Sequence, residues 1–173
     1  QRQMCIRDRT LNELDMKKRM MHIQRFDIND TIKNTAATFE GICTSRQIRL
    51  ELLLSGHELY VRADMEQIQQ VLYNLLDNAI KFSREGGALR IGIKRKTPAV
   101  IEVSVYNEGE GIEPEELPYV FERFYKSDKS RGLDKNGVGL GLYIVKTIIE
   151  AMKQTICVES EKGQFCEFRF TLK

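Results

Sequence analysis

The chain has 173 residues, 42% of them hydrophobic and 30% charged, which is about one domain's length and a globular balance that excludes disorder as its main state. Its 27 basic and 25 acidic residues leave a net charge of +2, with the basic excess gathered near the start, so no uniform basic face invites nucleic acid. No stretch approaches the roughly 18 consecutive apolar residues that span a bilayer, and none near the start reads as a secretory signal, so no membrane contact is expected of these residues.

Gln1 to Arg9 shows neither a helical nor an alternating apolar period and resembles translated sequencing-adapter read-through. These nine residues are expected to be foreign to the fold, with the native chain running from near Thr10. From residue 10 to about 23, Leu11, Leu14, Lys18 and Met21 recur at spacings of three and four. A helix so short wants a partner, so it is expected to end a longer helical hairpin or coiled coil. Residues 24 to 28 read as a strand, and Asn29 or Asp30 is expected to cap a helix to about Ser45. Two apolar runs, Ile48 to Leu54 and Leu59 to Arg62, flank the turn-like Ser55-Gly56-His57-Glu58 and are expected to pair as a hairpin.

Asp64 with Gln67 makes a capping-box-like start, after which Ile68, Val71, Leu72, Leu75, Leu76, Ala79 and Ile80 hold helical spacing through Ser83. At about 100° per residue, Gln70, Asn74, Asn78 and Lys81 fall along one edge of that apolar stripe. Ala88 to Lys94 and Ala99 to Tyr106 form a predicted hairpin around Thr97-Pro98. Val138 to Met152 is a second strong helix, and Ile156 to Glu159 with Phe165 to Leu172 close a hairpin around Lys162-Gly163. The order predicts an α/β two-layer sandwich of helices and mostly antiparallel strands. Cys5, Cys43, Cys157 and Cys166 show no close pairing and are expected to be reduced thiols in the cytoplasm.

Two glycine clusters stand between strand and helix: Asn107-Glu108-Gly109-Glu110-Gly111-Ile112 and Gly137-Val138-Gly139-Leu140-Gly141-Leu142. Glycines let backbone N–H groups approach a phosphate, and the helix that follows the second cluster adds its positive end. Neither cluster ends in the Gly-Lys-Ser or Gly-Lys-Thr of a P-loop.

Together with two further segments, these clusters resemble the ATP-binding catalytic domain of bacterial two-component sensor histidine kinases. Asn74-Leu75-Leu76-Asp77-Asn78-Ala79-Ile80-Lys81-Phe82 resembles the asparagine box of that family. Residues 107 to 112 resemble its first glycine box, Phe121-Glu122-Arg123-Phe124-Tyr125-Lys126 its phenylalanine box, and residues 137 to 142 its second glycine box. The resemblance covers nearly everything after Thr10 and implies the Bergerat fold, a mixed, mostly antiparallel sheet covered by about three helices. It also implies that residues 10 to 23 end a dimerisation and phosphoacceptor hairpin and that residues 24 to 173 form the catalytic domain.

By the same resemblance Asn78 is the Mg²⁺ ligand, and Asn74 holds phosphate or a metal-bound water. Lys81 contacts the nucleotide as a point charge, and Phe82 lies against the adenine. Asn107 stands where the family usually has an aspartate that accepts a hydrogen bond from the adenine amino group, a bond an amide oxygen also accepts. Gly109, Gly111 and Ile112 pass close to the base, while Gly137, Val138, Gly139, Leu140, Gly141 and Leu142 frame the triphosphate. The polar stretch from about Glu113 to Asn136 resembles the mobile lid, with Phe121, Phe124 and Tyr125 expected to anchor it or touch the partner helix. Lys126 sits where the family often has an arginine near the γ-phosphate, and orients that phosphate less rigidly.

Further departures are Met152-Lys153-Gln154 in place of a His-Gly-Gly, which puts a non-glycine residue at any left-handed helix end, and Phe165 in place of a glycine of the third glycine box. No phosphoacceptor histidine box is present: His22 and His57 lack its flanking residues. The implied activity is that of half a histidine kinase, which binds ATP with Mg²⁺ and transfers the γ-phosphoryl group to a histidine on an upstream helical domain. The implied partners are that domain, a response regulator receiver domain, and a second copy in a full-length, membrane-anchored homodimer. An anti-sigma-type serine kinase of the same superfamily and a nucleotide-responsive interaction module without transfer activity are the alternatives.

Overall fold

Asp27 and Asp64 start the first two α-helices among the described residues. The Asp27 carboxylate accepts from Asn29 N at 3.0 Å and Leu59 N at 3.2 Å, and that of Asp64 accepts from Gln67 N at 3.2 Å and His22 N at 3.0 Å. Each aspartate therefore satisfies an end of its helix and also ties down a distant strand entry. The cap of the first helix is Asp27 rather than the expected Asn29 or Asp30. Asn29 instead turns inward, only 4% exposed, donating to His57 O and accepting from Ser55 N, which fastens the loop at 55–58.

The computed structural model describes residues 2–6, 20–126 and 140–173. In chain order the elements are β1 (Arg2–Ile6), β2 (Ile23–Asp27), α1 (Ile28–Ser45), β3 (Arg49–Leu53), β4 (Tyr60–Asp64), α2 (Met65–Phe82), β5 (Ala88–Thr97) and β6 (Val100–Glu108). A one-turn 3-10 helix (Leu117–Tyr119), α3 (Gly141–Ala151), β7 (Ile156–Glu161) and β8 (Phe165–Leu172) follow. The helix expected at 10 to 23 lies largely outside the described residues; of its end, Met20 to His22 are irregular and Ile23 already belongs to β2.

The main sheet runs β1-β7-β8-β6-β5-β3, with every pairing antiparallel except β3 against β5, and β2 and β4 make a separate two-stranded ribbon. The expected β3–β4 hairpin does not form. The turn at 55–58 is held by Asn29 and Asp27 against the start of α1, so β4 leaves toward β2, and β3 is guided along β5 by Gly86 N to Gln47 O and Arg49 N to Gly87 O. Parallel neighbours need a crossover, and here β4 and α2 supply it.

One sheet face is apolar: Ile91, Val103, Val105, Val158, Phe168 and Phe170 belong to one core with the stripe of α2 and with Val145, Ile148 and Ile149 of α3. The opposite face is a charged lattice in which Arg90 pairs with Glu51 at 3.0 Å, Arg169 with Glu159 at 2.7 Å, and Lys94 with Glu102 at 3.3 Å. Burial pushes the Glu167 carboxyl up from its ordinary value, Arg169 pulls it down and Glu159 pushes it up again.

Cys5 and Cys157 stand opposite each other in β1 and β7, 4.0 Å apart at Cα, and are joined as a disulfide, which corrects the expectation of four reduced thiols. Cross-strand register, invisible to sequence spacing, brings them together. Cys43 and Cys166 are free and buried, and burial pushes the Cys166 thiol up to about 12. Among the described residues no helix is long and apolar enough to cross a membrane.

Candidate functional site

Helix α2 packs on the sheet with its seven expected apolar residues buried, so the asparagine row is left along its edge. There Gln70 Nε2 donates to Asn74 Oδ1 at 2.8 Å, and Asn74 Nδ2 donates to Gly141 O at 3.2 Å. The second bond joins α2 to the first residue of α3. One turn on, Asn78 is half-buried, and Lys81 pairs with Asp77 at 3.0 Å across the i,i+4 spacing.

Among the described residues the start of α3 is open: Leu140 provides no side-chain cap, no acidic residue occupies the first turn, and nothing lies within 4 Å of a Cβ added at Gly141. Uncapped N–H groups and the positive end of the helix dipole together favour an anion. Leu142 is partly buried against the core. Gly137, Val138 and Gly139 lie outside the described residues.

The third wall is the end of β6. Asn107, 3% exposed, sits between Leu89 of β5 and Cys166 of β8, and its Nδ2 is buried without a hydrogen-bond partner among the described residues. Gly109 bridges to Ser83 just past α2, so closely that an added Cβ would collide with the Phe82 carbonyl oxygen and come within 3.3 Å of Asn107 Nδ2. Gly111 has a φ of +69°, and a Cβ there would meet Glu161 O at 2.5 Å. Ile112 N donates to Ser160 Oγ, which in turn donates to Phe165 O, both at 2.8 Å. Ser160 is thus a positioning residue of this loop that sequence spacing does not reveal. The Asp77–Lys81 pair, by contrast, is legible in the i,i+4 spacing.

Of the phenylalanine-box residues, Phe121 is buried edge-on against Phe168 of β8, with ring centres 5.8 Å apart. Tyr125 Oη donates to Glu116 at 3.1 Å, so Phe121 and Tyr125 both anchor the segment. Phe124 is 62% exposed with a φ of 62°, and the Arg123 guanidinium lies 5.3 Å from its ring and 5.5 Å from that of Tyr143. Lys126 is half-buried and is the last described residue before 127–139, so the last ten residues of the expected lid lie outside the described residues.

Among the described residues no three His, Cys, Asp or Glu side chains cluster as a metal cage. A hard cation held chiefly by phosphate oxygens, with one amide oxygen from the protein, fits the asparagine row.

A helix-backed mixed sheet, with asparagines on one helix set against an open helix start, is the architecture of a nucleotide-binding sandwich. Residues 63–173 match the family model of histidine kinase-, DNA gyrase B-, and HSP90-like ATPases. The chain is 38% identical over 135 residues to the sensor histidine kinase YkoH of Bacillus subtilis, covering 78% of this chain and 29% of that protein. It is 41% identical over 140 residues to the adaptive-response sensory kinase SasA of Crocosphaera subtropica, covering 81% and 36% respectively. It thus spans well under half the length of these relatives. Among solved structures, the nucleotide-free catalytic domain of histidine kinase ThkA superposes with a TM-score of 0.77 at 29% identity, covering 88% of this chain and 97% of that one. Full-length ShkA in complex with AMPPNP superposes with a TM-score of 0.77 at 26% identity, covering 89% and 31%. The chain belongs to the histidine kinase-, DNA gyrase B-, and HSP90-like ATPase family, and within it is the ATP-binding catalytic domain of a sensor histidine kinase.

Proposed function

We propose that the opening between α2, the end of β6 and the start of α3 binds ATP with Mg²⁺ and delivers the γ-phosphoryl group to a histidine on an upstream helical hairpin. A receiver-domain aspartate of a response regulator then takes the group. The observation that carries this reading is the Asn74–Gly141 hydrogen bond, which sets the asparagine row beside an uncapped helix start. A histidine kinase neighbour of the same fold, ThkA, has been solved in complex with its response regulator TrrA.

In this reading Asn78 presents its amide oxygen to Mg²⁺, and Asn74 and Lys81 face the phosphates. Phe82 and Asn107 meet the base, beside Gly109, Gly111 and Ile112. The segment Gly137 to Leu142 wraps the triphosphate, and Lys126 reaches the γ-phosphate. What Mg²⁺ supplies when bound is neutralisation of phosphate charge; the chain's own share is positioning, and it needs no catalytic base. Phe124, exposed beside Arg123, faces the upstream hairpin. In the full-length protein the domain hangs on the cytoplasmic side of a membrane-anchored homodimer, with the residues before Met20 ending its helical hairpin.

The test is label transfer. Incubated with γ-labelled ATP, Mg²⁺ and a separate acceptor hairpin, the chain should label the hairpin alone, and stable label on His22 or His57 would overturn the assignment. Asn78→Ala should lose the Mg²⁺-dependent part of ATP affinity and nearly all transfer, because water replaces the amide without fixed geometry. Unchanged metal dependence would make the asparagine row an ordinary solvated edge.

A further inference from the structure

Asn107 is 3% exposed, and its Nδ2 is a buried donor with no acceptor among the described residues. Native proteins pair nearly all such donors. Its strand neighbours offer none: Leu89 is apolar, and Cys166 is a protonated thiol with its ionisation pushed up to about 12. A side chain at Gly109 would come within 3.3 Å of this nitrogen, so the glycine keeps the chain's own loop from covering it with a further group. An unpaired buried amide at a base-binding position calls for a ligand that brings its own acceptor.

We propose that Asn107 makes this site a binder of 6-oxopurine nucleoside triphosphates as well as of ATP; the inference rests on the nucleotide reading given above. A carboxylate at this position only accepts, whereas an amide offers one donor and one acceptor side by side. Against adenine, Oδ1 accepts from the 6-amino group while Nδ2 donates to ring nitrogen N1. Against a 6-oxopurine the amide turns by half a revolution, so that Nδ2 donates to O6 and Oδ1 accepts from N1–H. Both bases receive two hydrogen bonds. A carboxylate keeps the first arrangement's main bond but sets two acceptors face to face in the second, and a site that leaves buried polar groups unmatched rejects a ligand strongly.

Calorimetric titration of the full chain with ATP, ITP and GTP, each with Mg²⁺, tests this directly. ITP isolates the 6-position because it lacks the 2-amino group of guanine. Affinity for ITP or GTP within about tenfold of that for ATP is the expected result, and a preference for ATP over both by more than about tenfold overturns the inference. In Asn107→Asp, ATP should bind within about tenfold of the parent while ITP weakens on the order of a hundredfold; an unchanged ATP-to-ITP ratio also overturns it. The parent's own ratio decides the matter even if the buried carboxylate of the variant prevents folding. ATP binding that excludes ITP and GTP sinks this inference alone, whereas failure of all three nucleotides to bind the parent sinks the nucleotide reading with it.

Discussion

A methyl group added at Gly109 has nowhere to go, because the Phe82 carbonyl oxygen already occupies its place, and at Gly111 it would meet Glu161 O in a backbone with φ of +69°. The family resemblance reads both glycines as room for a base; the structure adds that the protein's own backbone fills much of that room. Gly109→Ala should therefore destabilise the fold by roughly 1–3 kcal/mol through overpacking. Gly141→Ala, with open space around its Cβ, should leave stability within about 0.5 kcal/mol. Urea melts of the two variants are the check, and equal midpoints would mean that the loop does not lie so close to α2. The asparagine row was legible because a strong apolar stripe fixes which edge of α2 is left over. The unpaired Asn107 nitrogen was not, since it follows from which strands flank β6, and that is decided by register between segments far apart in sequence.

Of the three α-helices among the described residues, two end in the same way, and neither uses glycine. After α1, Gln47 has φ of 57°, Gln47 N donates to Thr44 O, and Ile48 N donates to Cys43 O; after α3, Lys153 has φ of 56°, Lys153 N donates to Glu150 O, and Gln154 N donates to Ile149 O. This paired closure of the last turn needs a left-handed residue at the first position past the cap. The family resemblance marks that position after α3, where Lys153 stands in place of a glycine, but nothing marks it after α1, where Gln47 looks like an ordinary loop residue. Because a side chain in this conformation costs roughly 1–2 kcal/mol, Lys153→Gly should raise stability by about 1 kcal/mol after the added unfolded-state entropy of glycine is set against it. Gln47→Gly should do the same, and the double variant should show the sum. No gain in denaturation midpoint at either site would mean that the strain is relieved elsewhere.

Across the whole molecule, one sheet face is apolar and the other charged, and the charged side is where pH acts. Glu167 has its carboxyl pushed up by burial, with Arg169 too far toward Glu159 to restore it fully; Arg169 lies 2.7 Å from Glu159 and 3.9 Å from Glu167. A raised folded-state value means that the native state holds this proton more tightly than the unfolded chain. Its contribution is present below the ordinary glutamate range and is lost as pH rises through the folded value. Glu167→Gln should thus be more stable than the parent at neutral pH by up to about 1 kcal/mol, with the gain vanishing near pH ~3. Thermal melts at the two pH values test it, and a gain of the same size at both would assign the effect to packing. The overall sandwich was legible from the alternation of periods, helix against strand. The partner of β3 was not, because a turn-like tetrapeptide between two apolar runs looks like a hairpin until side chains from α1 claim it. That choice also sets an order of assembly. The β5–β6 and β7–β8 hairpins close over short turns, but β3 meets β5 only after the chain has travelled through β4 and α2, with Arg90 and Glu51 separated by 39 positions. Closing so long a loop is entropically costly before any contact repays it. The β6–β8 pairing closes a longer loop still, with Asn107 and Cys166 59 positions apart, and since Asn107 stands on β6 while Asn74 and Asn78 ride the α2 crossover, the proposed nucleotide cleft is expected to take shape only after both long loops have closed.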